Sequence, residues 1–315
     1  MTKTFIPGHI SVIMPCYNAA SFVEEAVECV LNQTHGHVEL LVVDDGSTDG
    51  SQEILRQLEA RHPERIRIYH QENKGPYPAR NLALKHAKGE YVAFLDADDF
   101  WHKDCLAKLY DAMMSSRTDL AYCGWQNFGE GAPGTQPHVP PKYEEDDPVA
   151  RFLKGCPWPI HAALIRREII DAVNGFSERC FSAMDYDLWL RILAVTRKMI
   201  RVPEVLSFYR WHDKGQISSI KWKQVLNAWQ VRQDFVRSNP ALVSHIPPDT
   251  LRTLRHQCLL DAGYKAYWKR DLASSQKLFR QALKAGYWQL KDLKYLLPAL
   301  LTEKIYQSLI LHADK

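Results

Sequence analysis

Three acids follow an apolar run in the stretch Glu90-Tyr-Val-Ala-Phe-Leu-Asp-Ala-Asp-Asp-Phe-Trp101. Tyr91 to Leu95 is rich in β-favouring residues and reads as a buried strand. Asp96, Asp98 and Asp99 stand at its carboxyl end, where clustered carboxylates repel one another unless a counter-charge is present. Asp96 and Asp98, separated by Ala97, suit a divalent cation such as Mg²⁺, which keeps most of its waters and takes one or two carboxylates plus phosphate oxygens. The plainer reading is a polar turn that caps the next helix. Two other apolar runs also end in chemistry-bearing residues. Asp44-Asp45-Gly46-Ser47 follows Val38 to Val43, and Cys16-Tyr17-Asn18 follows His9 to Pro15. Asp45 could accept a hydrogen bond from the N–H of a uracil or thymine ring, and Tyr17 could stack on the base or hold its edge. Lys74 and Arg80 suit phosphates, Arg80 through its planar fork. Each has a structural alternative: a turn, a core tyrosine, a solvated lysine, a surface helix arginine.

The elements that must position these residues alternate. Strands are expected near residues 9–15, 38–43, 66–69, 91–95 and 119–124, with helices near 21–34, 49–61, 78–87 and 106–114. Ser21 with Glu24 has the spacing of a capping box. Alternation with short connections predicts an α/β fold, a mostly parallel sheet with helices on both faces. Ligands of such sheets gather at the carboxyl ends of strands, where all three polar clusters fall. Residues 129–148 read as a mobile Gly/Pro-rich loop, 160–165 as a strand, 166–173 and 185–195 as helices, and 199–209 as extended chain. Beyond Ser218 the pattern is all helical, near 221–238, 249–268, 271–285 and 288–312. Ala262, Gly263, Ala266, Tyr267, Phe279 and Ala282 are spaced like one tetratricopeptide-type hairpin turning at Asp271-Leu272, or simply like two helices packed through small residues.

Composition narrows the class. The 315 residues are 46% apolar and 24% charged, which is ordinary for a soluble globular chain. No run of about 18 apolar residues is present, so no membrane span is expected. The first nine residues lack a signal-peptide apolar region. The seven cysteines are scattered without metal-ligand spacing and read as free thiols of a reducing cytosol. The net charge of +3 is uneven: residues 221–315 carry 16 Lys/Arg against 7 Asp/Glu, and residues 1–220 carry 24 against 30. A basic C-terminal region points to a solvated helical face, or to an anionic membrane surface or nucleic acid.

Seven stretches in order resemble the inverting glycosyltransferases of family 2, which have the GT-A fold. They are Ser11-Val-Ile-Met-Pro-Cys-Tyr-Asn18, Leu41-Val-Val-Asp-Asp-Gly-Ser-Thr-Asp49, Asn73-Lys-Gly75 with Ala79-Arg-Asn81, Gly89 to Asp99, Asn174-Gly-Phe176, Met184-Asp-Tyr-Asp-Leu-Trp-Leu-Arg191 and Tyr209-Arg-Trp-His212. The resemblance covers residues 10 to about 219. It implies a glycosyltransferase domain over 1–219, with a nucleotide-binding half to about 125 and an acceptor half from 126, then a helical region over 220–315. It implies a nucleotide-diphosphate sugar donor of UDP type, a divalent metal (Mg or Mn), and a carbohydrate or lipid-linked acceptor in cell-envelope polysaccharide assembly, with no nucleic acid partner. By the resemblance, Pro15, Tyr17 and Asp45 line the nucleoside, and Asn18 is a further donor-binding residue. Lys74, Arg80 and Asp96 hold the ribose or diphosphate, Asp98 binds the metal with Asp96 beside it, and His212 approaches the metal or diphosphate. Asp185 matches the catalytic base.

There are departures. Met184 stands where the family usually has Glu, which implies altered acceptor contacts, and Gly215-Gln-Ile-Ser218 replaces the usual Ser-Ile-Ser run. Asp185 also reads as a helix N-cap, and Asp187 is the rival base. Trp158 and His161 fall in the acceptor half and read either as sugar contacts or as core. In the C-terminal region an apolar stripe from Leu293 to Ile310, accompanied by Lys291, Lys294 and Lys304, reads as a docking face or as a peripheral contact with an anionic membrane through 288–315, on the cytosolic side. A nucleotide-sugar nucleotidyltransferase is the alternative enzyme, but Pro15-Cys-Tyr-Asn18 lacks the glycines its loop needs. A non-catalytic binding protein is the other alternative. A processive synthase is disfavoured, because Ser207 stands where its Gln-x-x-Arg-Trp motif needs Gln.

Overall fold

The computed structural model describes residues 5–132, 134–179, 182–211 and 221–312. The chain divides into two compact units, one of residues 1–148 and 156–216, the other of 149–155 and 217–315. The sequence reading placed a boundary at 219; the short segment 149–155 groups instead with the helical unit.

The first unit begins with β1 (Ile6–Cys16), α1 (Val23–Leu31), β2 (Val38–Asp44), α2 (Ser51–Arg61), β3 (Ile66–His70), α3 (Pro76–His86) and β4 (Gly89–Phe94). It continues with β5 (Phe100–Trp101), α4 (Cys105–Ser116) and β6 (Leu120–Gly129). After α5 (Pro148–Lys154), β7 (Ala163–Arg166), α6 (Arg167–Ala172), α7 (Met184–Val195) and β8 (Met199–Trp211) follow. The eight strands form one sheet in the order β3-β2-β1-β4-β7-β6-β8-β5. β1 runs parallel to β2 and β4, and β2 to β3. β7 is antiparallel to both β4 and β6, and β5 to β8, so the sheet is parallel on one side and mixed on the other. Ile10, Val12, Ile13 and Met14 of β1 are fully buried, as a central strand covered on both faces requires.

Several local expectations change. Phe22, not Ser21, occupies the cap position of α1, and no side-chain cap bond forms there. The segment 129–148 is partly pinned: Trp125 and His138 exchange two 2.9 Å backbone hydrogen bonds, Tyr143 N donates to Tyr122 Oη at 2.8 Å, and Arg201 N donates to Glu144 at 3.0 Å.

The helical unit contains α8 (Lys221–Ser238), α9 (Pro240–Val243), α10 (Pro248–Trp268), α11 (Leu272–Lys284), α12 (Leu293–Leu296) and α13 (Glu303–His312). α10 and α11 form the close hairpin that the small residues suggested. A Cβ added at Gly263 would lie 2.6 Å from the Phe279 ring, so only glycine allows this approach. Asp271 caps α11, accepting from Ser274 N at 3.1 Å. The single helix expected over 288–312 is broken, because Pro298 offers no N–H and interrupts the ladder between α12 and α13. The apolar stripe therefore splits. Leu296, Ala299, Tyr306 and Ile310 are buried, while Leu297, Leu300, Ile305 and Leu309 stay exposed.

Candidate active site

The parallel strands bring the polar clusters to one edge of the sheet. Cys16 of β1 pairs with Asp44 of β2, and Ile13 pairs with Phe94 of β4, so the chain leaves all three strands on the same side. Tyr17 there is exposed, and Asn18 sits in the left-handed region at φ 50°. Asn18 is held by Ser47 Oγ, which accepts from its N–H at 3.0 Å, and by Thr48 N, which donates to its Oδ1 at 2.8 Å. Asp44 is structural, accepting from Ser47 N at 3.1 Å and Gln52 Nε2 at 2.8 Å. Asp45 is buried and organises the next loop. Its Oδ1 accepts from Gln71 Nε2 and Lys74 N, and its Oδ2 from Gly75 N at 2.8 Å. A carboxylate has room for a fourth hydrogen bond, so Asp45 retains acceptor capacity. The Lys74 side chain is exposed.

Arg80 is not a surface residue. It is 3% exposed, and its guanidinium pairs with Asp96 and lies over the rings of Tyr77 at 5.6 Å and Phe176 at 5.4 Å. Its Nε is buried without an acceptor among the described residues. The Asn174-Gly-Phe176 turn is what places Phe176. Asn174 and Gly175 both have positive φ. The Asn81 side chain donates to Phe176 O at 2.9 Å and accepts from Phe176 N at 2.8 Å. A Cβ on Gly175 would strike Asn81 Oδ1 at 2.7 Å, so glycine is required twice over. Asn81, beside Arg80 in the sequence, thus ties α3 to the turn after α6.

α7 starts at Met184, and its cap residue Ala183 is left-handed at φ 64°. Asp185 therefore lies inside the first turn rather than at the cap. It is half-buried and accepts from Tyr186 N at 2.8 Å. Burial pushes its carboxyl pKa up; Asp96 adds to this, while the Tyr186 N–H and then Arg80 oppose it. The Tyr77 phenol is also pushed up, by burial first and by Asp185 after it, and it meets the Met184 backbone. Arg80, Asp96, Asp185 and Tyr77 therefore share one electrostatic environment. Met184, where the usual acid is missing, is fully buried and packs in the core. Asp187 is occupied. It bridges Arg179 at 2.7 Å and Arg191 at 2.6 Å, and Arg191 in turn donates to Val173 O at 2.6 Å and Gly175 O at 2.9 Å. The rival base is a brace for the turn that carries Phe176.

Asp96 and Asp98 are both partly open, whereas Asp99 is buried. Asp99 Oδ2 lies 3.1 Å from His161 Nδ1, and its Oδ1 accepts from Arg210 N at 2.8 Å. Burial pushes the Asp99 carboxyl up, and His161 opposes that shift. Arg210 Nε donates to Asp98 O at 2.7 Å, so the end of β8 holds the acidic turn in place. Trp158 and His161 belong to the core, each 1% exposed; the Trp158 ring stacks on Tyr122 at 4.2 Å. Buried this deeply, neither side chain presents a face to an acceptor sugar. Among the described residues no group of three or more His, Cys, Asp or Glu side chains is arranged to hold a metal. The donor set at Asp96-Ala97-Asp98 is two hard oxygen ligands, which fits an ion that takes the rest of its shell from phosphate and water. His212 lies outside the described residues. Asn81, Phe176, Arg191 and Arg210 carry positioning roles that their sequence spacing alone does not reveal.

The family model described as Glycosyl transferase family 2 matches residues 11–173. A putative teichuronic acid biosynthesis glycosyltransferase of Bacillus subtilis strain 168, TuaG, is 37% identical over 231 residues, covering 72% of this chain and 88% of that protein. The Escherichia coli UDP-Glc:alpha-D-GlcNAc-diphosphoundecaprenol beta-1,3-glucosyltransferase WfgD is 31% identical over 240 residues, covering 75% and 90%. Among solved structures, S. aureus TarS 1–349 in complex with UDP-GlcNAc superposes with a TM-score of 0.67 at 17% identity, covering 97% of this chain and 91% of that one. That likeness bears on the fold, a GT-A-type sheet followed by helices. No helix among the described residues is long and apolar enough to cross a membrane.

Proposed function

The chain belongs to glycosyl transferase family 2, and from this premise we propose that it is an inverting glycosyltransferase moving a sugar from a UDP-type donor to an acceptor hydroxyl in polysaccharide, lipopolysaccharide or glycolipid assembly. The observation that carries the reading is the grouping of Asp185, Arg80 and Asp96 in one environment at the strand ends, with the Asp185 carboxyl raised. A raised carboxyl is a stronger base than an ordinary one and suits proton abstraction from a hydroxyl. Asp185 takes the proton of the acceptor hydroxyl as that oxygen attacks the anomeric carbon. The bond to the nucleoside diphosphate breaks on the opposite face, which inverts the anomeric centre. Tyr17, Asn18 and Asp45, with the buried Pro15, line the nucleoside. Arg80, whose buried Nε has no acceptor among the described residues, and the exposed Lys74 receive the diphosphate. Asp98, with Asp96 beside it, would hold a Mg²⁺ or Mn²⁺ ion, which when bound offsets charge on the departing diphosphate.

Calorimetric titration of UDP with and without Mg²⁺ or Mn²⁺ tests the donor reading. Binding that is strengthened by metal in the wild type and no longer so in Asp98→Asn is expected. Absence of nucleotide binding with either ion would remove it.

The acceptor reading extends to the membrane. Leu297, Leu300, Ile305 and Leu309 are exposed near Lys294 and Lys304, an apolar and basic surface suited to an anionic bilayer and a lipid-linked acceptor. Substituting Leu297 and Leu309 with Ser should lower association with phosphatidylglycerol vesicles. Unchanged association would remove the membrane contact.

A further inference from the structure

The helical unit carries an open groove of about 630 Å³ between α8 and the first turns of α10. That volume lies within the range of small-molecule sites, roughly 300–1,000 Å³. Trp229 and Gln233, one turn apart on α8, form one wall; Leu251, Arg252, Arg255 and His256 of α10 form the other. Spacings of three and four put those α10 residues on one face.

Among the described residues the lining includes no carboxylate. Arg255 Nε donates to Gln233 Oε1 at 2.8 Å. Arg252 donates to Gly286 O and lies 5.7 Å from the centre of the Tyr287 ring. Both guanidiniums are thus held by neutral acceptors, and their charge is not cancelled within the groove. Asp249 and Asp292 line an adjoining space of about 300 Å³, together with Arg252 and Lys291, and Asp292 there accepts from Tyr264 Oη at 2.6 Å and Gln289 N at 2.7 Å. The amino end of α10 adds its own positive dipole. Burial pushes His256 down to about 4, with Arg255 and Arg252 acting in the same direction. His256 is therefore neutral at pH 7, and its Nδ1 accepts from Trp229 Nε1 at 3.1 Å, which fixes the indole in the wall.

The groove thus offers donors rather than acceptors. Gln233 already spends its amide oxygen on Arg255. A nucleobase, whose ring edges need acceptors as well as donors, is poorly matched. A ligand rich in acceptor oxygens, with a face of C–H groups to lie on an indole, is well matched. We propose that this groove binds an acidic sugar, a saccharide bearing a phosphate or carboxylate, with the anion between Arg252 and Arg255 and the sugar face on Trp229. Its use as a holding site for an acidic glycan during transfer rests on the function proposed above; the binding itself does not.

Calorimetry on the full chain tests the binding, with UDP at saturation so that the nucleotide site is filled. Glucose 1-phosphate and glucuronic acid should bind saturably, and more weakly as salt is raised. Arg252→Gln and Arg255→Gln should each weaken binding about tenfold, as loss of a charge-assisted hydrogen bond does. Trp229→Leu should weaken it severalfold. Arg252 is exposed, so its variant keeps the test valid if Arg255→Gln disturbs folding. Equal affinity in the wild type and Arg252→Gln would overturn the proposal. So would inorganic phosphate binding as tightly as glucose 1-phosphate, which would leave an anion site without sugar recognition. Binding to phosphatidylglycerol vesicles through these arginines, with no binding of free acidic sugars, would overturn it in favour of a lipid headgroup.

Discussion

The arginines of the strand-end site and those around the α8–α10 groove of the helical unit are held in opposite ways. At the strand ends Arg80 meets Asp96, Arg191 meets Asp187, and Arg210 reaches Glu25 while its backbone serves Asp99. In the helical unit Arg237 pairs with Asp234, but Arg252, Arg255 and Arg280 donate to carbonyl or amide oxygens that carry no charge. A buried charge is tolerable only when it is paired or well hydrogen-bonded, and the strand-end network meets that condition with its own carboxylates. Its contacts close within the protein itself, and such a preformed arrangement is what holding a reacting group in place requires. The helical unit leaves positive charge and apolar surface over.

The sharpest way to break this contrast is to alter the two acids of α7 separately. Asp185→Asn should reduce transfer by about 10²–10⁴-fold, the usual share of a general base, while leaving UDP binding and thermal stability near wild type. Asp187→Asn should do the reverse in kind: it leaves Arg179 and Arg191 without their shared carboxylate and should cost about 2–3 kcal/mol of stability, read from urea unfolding. Full activity in Asp185→Asn would move the base elsewhere. Undiminished stability in Asp187→Asn would deny its bracing role.

The same pair shows what the sequence made legible. The acidic strand ends were readable because each motif is contiguous and follows an apolar run, and parallel pairing then had to bring them to one edge. The role of Asp187 was not readable, since its meaning depends on Arg191 holding the carbonyls of Val173 and Gly175. Likewise Asn81 is joined to Phe176, 95 residues away. His161 and Trp158 looked ambiguous because burial is a property of the finished fold. In the C-terminal region the apolar period was real, but reading it through Pro298 merged α12 and α13 into one helix and hid that only half of the stripe is core.

A change confined to the helical unit should leave the strand-end site untouched. Gly263→Val drives a side chain into the Phe279 ring and should destabilise that unit by about 1–3 kcal/mol through overpacking. UDP affinity should not change. A lost nucleotide site in this variant would show that the two regions are not separable. Acidification is a milder probe of the same unit. The His256 pKa is lowered when folded, so the unfolded chain binds the proton more readily, and stability should fall as pH drops from about 6.5 toward about 4. Among the groups facing the ring, Arg252 and Arg255 repel a charged imidazole and Trp229 Nε1 donates to its Nδ1, while the stacked Tyr287 ring offers only a weak cation–π attraction against the cost of burial. In His256→Gln that slope should flatten; an unaltered slope would assign it to other groups.

The smallest expected effect concerns how Asp185 is presented. Ala183 turns the chain into α7 from the left-handed region, which costs an L-residue roughly 1–2 kcal/mol. Glycine relieves that strain but loses more freedom on folding, by roughly 0.5–1 kcal/mol, so Ala183→Gly should shift stability by only about 0.5 kcal/mol. Its rate should stay within a few-fold of wild type, because the turn and the direction of Asp185 are kept. Ala183→Val, whose branched side chain resists positive φ, should be less stable than Ala183→Gly and slower in transfer. If Val and Gly behave alike in both rate and melting temperature, the left-handed turn at Ala183 is not what aims Asp185 into the site.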